Sequence, residues 1–175
     1  MQYSLRGRHY RYDQSEEDEK DWHYAALMAA AYLGRIDDMR HLNIPDTLSV
    51  NQRDAEKWLY PPILAVALNG QEEAVRFLID LGADASSAST LEGHTSLHFA
   101  ACSGNVSLVQ YLVDIGLNVN QVSDDDDSPL AWAAGTGYTV VVRALVAKGA
   151  IPGDYRPLGW ASNDLRCQER LQRSC

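Results

Sequence analysis

Four residues have the types and grouping needed to move protons: Glu92, His94, Asp125 and Asp127. An imidazole oriented by a carboxylate stays basic near neutral pH and can take or give a proton. No nucleophile motif accompanies them. Cys102 and Ser103 adjoin, yet nothing in the chain sets a base against either. Cys102, between Ala101 and Ser103, reads as a small apolar filler. Metal chemistry has less support. The consecutive aspartates 124–127 lack the alternate-position spacing of a calcium loop, and His94 with Asp125 and Asp127 has no defined ligand spacing. No phosphate-cradling glycine loop or dinucleotide fingerprint occurs, so no cofactor and no metal are expected.

The elements that must position these residues form one pattern. Thr95 can cap a helix carrying Leu97, Ala100 and Ala101, which Gly104 ends, since glycine tolerates the left-handed closing turn. A second helix then sets Val106, Val109, Leu112 and Val113 on one apolar stripe before Gly116 stops it. Neither helix can bury its face alone. The pattern recurs: 33 residues separate Leu97 from Leu130, Thr95 from Ser128, Gly104 from Gly137, Leu112 from Leu145 and Gly116 from Gly149. Backwards, 34 separate Gly104 from Gly70, Val109 from Val75, Leu112 from Leu78 and Gly116 from Gly82. A period near 33 that repeats helix, turn and glycine together marks a stacked helical solenoid.

The stretch T-S-L-H-F-A-A-C-S-G, 95–104, closely resembles the ankyrin motif T-P-L-H-x-A-A-x-x-G. The resemblance covers most of the chain, from about Asp21 to about Leu165. It implies an all-α ankyrin-repeat solenoid of about five units with degenerate caps: 21–56, 57–90, 91–123, 124–152 and 153–175, behind an N-terminal arm 1–20. His98 matches the motif histidine and reads as structural, bonded within the turn network. Met28, Leu64, Ala131 and Gly159 replace it elsewhere. Asp126 stands where the family has a turn glycine, and aspartate tolerates a left-handed turn better than most residues.

At 175 residues the chain fits one domain. Its apolar fraction of 46% and charged fraction of 22% suit a soluble globular protein. The net charge of −9 disfavours nucleic acid and anionic lipid. No apolar run is long enough for a membrane span, and the polar, tyrosine-rich start is no secretory signal. Three cysteines make no paired framework, so an intracellular, cytoplasmic or nuclear, reducing setting is expected. Arg6, Arg8 and Arg11 make the arm basic, and then the sign flips over Glu16, Glu17, Asp18 and Glu19. Ser15 with Asp18 resembles a capping box, and acids in a first turn suit the helix dipole. Pro61 and Pro62 occupy a helix start, where a missing N–H costs little.

In the family the turns and first helices line a concave groove. Carried onto this chain, the groove slots before the Thr position hold Trp22, Tyr24, Trp58, Tyr60, Glu92, His94, Asp125, Asp127 and Tyr155. The slots before the helix-ending glycine include Tyr32, Asn69, Cys102 and Ser103. The resemblance therefore implies an aromatic wall beside an acidic floor. Trp132, Trp160 and Phe99 fall at inward slots and read as core. A continuous helix begun at Ser15 would remove Trp22 and Tyr24 from the groove.

Aromatic rings give contact area at low entropic cost, and carboxylates and ring faces both favour a cation. The expected partner is a protein segment, or a hydrophobic or cationic small molecule. Three functions stay open: an interaction module gripping a protein segment; a cofactor-independent small-molecule enzyme, of cyclase or isomerase type, using His94 with Glu92, Asp125 and Asp127; or a structural or inhibitory subunit.

Overall fold

The computed structural model describes residues 16–42, 50–51, 61–86, 93–124 and 126–152, with side chains described at 23 and from 25 onward. Among them lie eight helices and no strand: α1 (Glu16–Tyr32), α2 (Ile36–His41), α3 (Pro62–Leu68), α4 (Glu72–Asp80), α5 (Ser96–Ser103), α6 (Val106–Asp114), α7 (Pro129–Gly135) and α8 (Thr139–Ala147). They pair as α1/α2, α3/α4, α5/α6 and α7/α8. The first helices also pack in a row, α1 on α3, α3 on α5 and α5 on α7, while α2 meets α4 and α6 meets α8. The expected all-α solenoid is the observed architecture.

The core follows from the repeat pattern. Each second helix turns one stripe inward: Val75 and Leu78 on α4, Val109 and Leu112 on α6, Val141 and Leu145 on α8, all fully buried. Leu64, Leu97, Ala101 and Ala133 meet them from the first row. The first helices α3, α5 and α7 are built almost wholly of small and apolar residues and carry no Lys, Arg, Asp or Glu. Small side chains let neighbouring helices approach, and every residue of α5 except Ser103 is buried.

Helix starts use three chemistries. Pro61 and Pro62 open α3, where no N–H is needed. The Asn105 and Ser128 side chains accept from the backbone N–H groups of Leu108 at 3.1 Å and Ala131 at 3.2 Å. On α5, Thr95 and His98 form a reciprocal capping box. Among described residues, Asp126 alone among non-glycines has positive φ, 62°. It occupies the left-handed turn that Gly93, φ 67°, forms one period earlier.

Amide side chains beside the helix-ending glycines tie neighbouring repeats together. Asn69 and Gln71 donate to the Tyr32 carbonyl at 3.2 and 3.3 Å, and Asn105 donates to the Gly70 carbonyl at 2.7 Å. At the other edge Asn51 donates to the Gly82 carbonyl and accepts from the Asp84 N–H. Asn120 repeats this with the Gly149 carbonyl and the Ile151 N–H. On the second row the Arg76 guanidinium bonds Glu72 at 2.7 Å and lies 3.7 Å from the centre of the Tyr111 ring, joining α4 to α6.

α1 is one continuous helix from residue 16, so a boundary between an arm 1–20 and a repeat unit from 21 falls inside it. The acids Glu16, Glu17 and Asp18 form its first turn, where they suit the dipole.

Gly104 tests how tightly repeats meet. Its φ is 78°, and a Cβ there would stand 2.8 Å from the Tyr138 ring of the next repeat. Gly82, φ 90°, has nothing within 4 Å of such a Cβ. Either Gly→Ala change costs about 1–2 kcal/mol in backbone strain. Gly104→Ala is expected to cost more than Gly82→Ala in urea denaturation, and the excess should vanish in a Tyr138→Ala background. Equal costs in the wild-type background would show that the Tyr138 contact is inconsequential.

Candidate functional site

His94 precedes the Thr95 cap of α5, the slot expected to face an open groove. It is instead 2% exposed. Its ring sits 4.5 Å from that of Trp132 on α7, 5.4 Å from His98 and 6.3 Å from Phe99. Trp132 in turn packs edge-on against Phe99 at 5.5 Å, and both are core, as their inward slots predict. The physical reason is local: the next repeat brings an indole where a smaller side chain would leave the slot open. A general acid or base must reach the proton it moves, and a ring enclosed in this way presents no open edge to a substrate.

His98 is fully buried and holds the α5 start together. Its Nδ1 accepts from the Thr95 N–H at 3.0 Å, which places the ring proton on Nε2. That Nε2–H donates to the Asp127 carbonyl at 3.0 Å, linking the third repeat to the turn of the fourth. The same Asp127 carbonyl accepts from the Ser123 N–H at 2.9 Å, closing the left-handed turn at Asp126. Burial lowers the His98 pKa to about 4, partly offset by its backbone hydrogen bond to Asp127 and reinforced by the adjoining His94. The structural role expected of the motif histidine is thus realised.

The remaining expected residues divide. Tyr32 and Asn69 are half-buried, and the Asn69 amide is engaged by the Tyr32 carbonyl rather than presented to a ligand. Trp22 and Tyr24 lie within α1, one helix with no turn at those positions, so the groove slots assigned to them by the repeat frame do not form. Asp127 is half-buried. Trp58, Tyr60, Glu92, Asp125 and Tyr155 lie outside the described residues. The acid–base group is therefore corrected at its centre: His94 is enclosed rather than open to a substrate. Cys102 is buried in α5 and disulfide-bonded, not the unpaired thiol expected. Among the described residues no group of three His, Cys, Asp or Glu could hold a metal ion.

What the first row does present is a neutral face. Ala65, Leu68 and Asn69 on the second pair, Ser103 on the third, and Ala131, Ala134, Gly135 and Thr136 on the fourth are half-buried along it, with Leu33 61% exposed at the end of α1. Sequence reasoning missed the amide bridges of Asn51, Asn105 and Asn120. For Asn105 the available signal was the recurrence of Asn or Gln beside the helix-ending glycine, as at Asn69 and Gln71.

The ankyrin repeat model, in its three-copy form, matches residues 27–123 and 63–155. The chain belongs to the ankyrin repeat family. Among similar proteins, the mouse B-cell lymphoma 3 protein homolog is 37% identical over 91 residues, 51% of this chain and 20% of its own length. The mouse RelA-associated inhibitor is 35% identical over 88 residues, 50% of this chain and 11% of its own length. Mouse synphilin-1 is 28% identical over 130 residues, 71% of this chain and 13% of its own length. This ankyrin chain thus spans a fifth or less of these relatives. No helix among its described residues is long and apolar enough to cross a membrane.

The His98 cap makes stability pH-dependent. The unfolded chain takes up the His98 proton near pH 6.5, the folded chain near pH 4. Stability from this group is therefore complete above pH 6.5 and is lost as pH falls towards 4, by about 3 kcal/mol in all. His98→Gln keeps a capping-box acceptor but removes the titration. Urea denaturation should show the variant less stable at pH 7.5, by about 1–2 kcal/mol, yet losing less than wild type between pH 7.5 and 4.5. Parallel losses in the two proteins would contradict this assignment.

Proposed function

We propose that the chain is a protein-binding module that grips a segment of a partner protein along the face of its first-helix row, the concave side in ankyrin proteins. The observation that carries the reading is chemical. α3, α5 and α7 contain no charged residue, and they present small and apolar side chains from Ala65 and Leu68 to Ala134 and Thr136. A wall without fixed charge costs little to desolvate and admits close backbone approach. The family supports it, and so does the name of one relative, an inhibitor associated with another protein. A capping or inhibitory subunit would use the same face. The net charge of −9 argues against nucleic acid as the partner.

Native mass spectrometry of the chain purified from its source is expected to show a polypeptide bound, and a small molecule alone would overturn the reading. Leu68→Glu places a charge on the neutral wall and should weaken that complex by about tenfold or more. Arg143→Glu, on the exposed side of α8, should leave it unchanged.

A further inference from the structure

A second surface lies away from the first-helix row. Where the turn after α4 meets the turn after α6, a crevice of about 530 Å³ opens between the second and third repeats. Ile79 stands on one side, and Ile115 and Leu117 on the other, with Ala83 at its base and Asp84 and Gln121 at its rim. Ile115 is 43% exposed, although it ends a helix whose other apolar residues are largely covered. The volume lies within the range that holds a ligand group or one to two side chains.

Among the described lining residues Asp84 is the one charged group. No Lys or Arg occurs between Arg76 and Arg143. Asp80, Asp84, Glu92, Asp114 and the run 124–127 all fall in that interval. Of the cations flanking this interval, Arg76 is engaged by Glu72 and Tyr111, Lys148 is ion-paired with Asp114, and Arg143 stands exposed on α8. The histidines of the interval, His94 and His98, are buried. Asp84 is exposed, and one of its oxygens accepts from the Ser86 N–H at 2.9 Å and hydroxyl at 2.6 Å, which fixes the carboxylate at the crevice rim. Among the described residues no cation pairs with Asp84.

We propose that this crevice docks a basic peptide segment whose aliphatic side chain enters between Ile79 and Ile115 while a flanking Lys or Arg meets Asp84. The apolar walls reward an aliphatic anchor, and the Asp84 carboxylate rewards a cation beside it and penalises an anionic partner. A second copy of this chain, at net charge −9, is repelled by the same field, as are anionic lipid and nucleic acid. The inference rests on the protein-binding reading but uses a different face, so the two can fail separately.

The test titrates the full chain with a fluorescein-labelled peptide, Lys-Lys-Gly-Lys-Leu-Lys-Gly-Lys-Lys, and with counterparts carrying Ser for Leu or Glu for Lys, read by anisotropy. The Leu peptide should bind about tenfold tighter than the Ser peptide, and the Glu peptide should not bind. Ile115→Ser should remove the difference between the Leu and Ser peptides. Asp84→Asn should weaken both by about threefold, and Leu68→Glu should change neither. Methyl NMR of the wild-type chain supplies a readout that needs no variant: Ile79 and Ile115 resonances should shift first. Equal affinity for the Leu and Ser peptides, or methyl shifts elsewhere only, would overturn the crevice. Loss of the Leu preference through Leu68→Glu would instead place the anchor on the first-helix row, overturning this site while supporting the other.

Discussion

A helix pair of this chain cannot bury its own apolar stripe, and everything else in the structure answers that constraint. Leu78, Leu112 and Leu145 recur one period apart, and each is fully enclosed. The enclosure needs both the partner helix of the same repeat and the next repeat in the row. Stability is then a sum of neighbour interfaces rather than one central core. It explains why α3, α5 and α7 are short and built from small residues: the inner row must pack closely for the stripes behind it to be covered.

Polar groups follow the same logic. Asn51, Asn69, Asn105 and Asn120 each bond a backbone carbonyl of a neighbouring repeat. His98 bonds Thr95 within its own repeat and the Asp127 carbonyl in the next. Such groups satisfy backbone atoms that helix ends leave without intrahelical partners. They also fix the distance between repeats, which sets the width of both the first-helix face and the crevice behind it. The first-helix face is neutral because its residues are selected for close packing. The turn edge carries the charge, because carboxylates there stay in water.

The two surfaces differ in how they would recognise a partner. A neutral wall discriminates by shape and by what it can desolvate. The crevice at Ile79 and Ile115 adds an anchor pocket in a one-signed field, which selects by charge as well. The stretch that matches the relatives is a fifth or less of their own length.

The architecture was legible in the residues alone. A 33-residue spacing of Gly104 and Gly137, a capping threonine and a stripe at Val109 and Leu112 are local facts, and local facts specify helices, turns and the need to stack. The structural role of His98 and the inward direction of Phe99 and Trp132 were legible too, because those roles belong to fixed positions in the repeat. Exposure was not, since it arises from packing between repeats. His94 occupies a slot that would be open on a lone repeat, and the indole of Trp132, 38 residues later, encloses it. Asn69 occupies another such slot, and the Tyr32 carbonyl, 37 residues earlier, engages it. Whether a side chain meets water depends on the size and polarity of what the neighbouring repeat brings to it, and no spacing within one repeat encodes that.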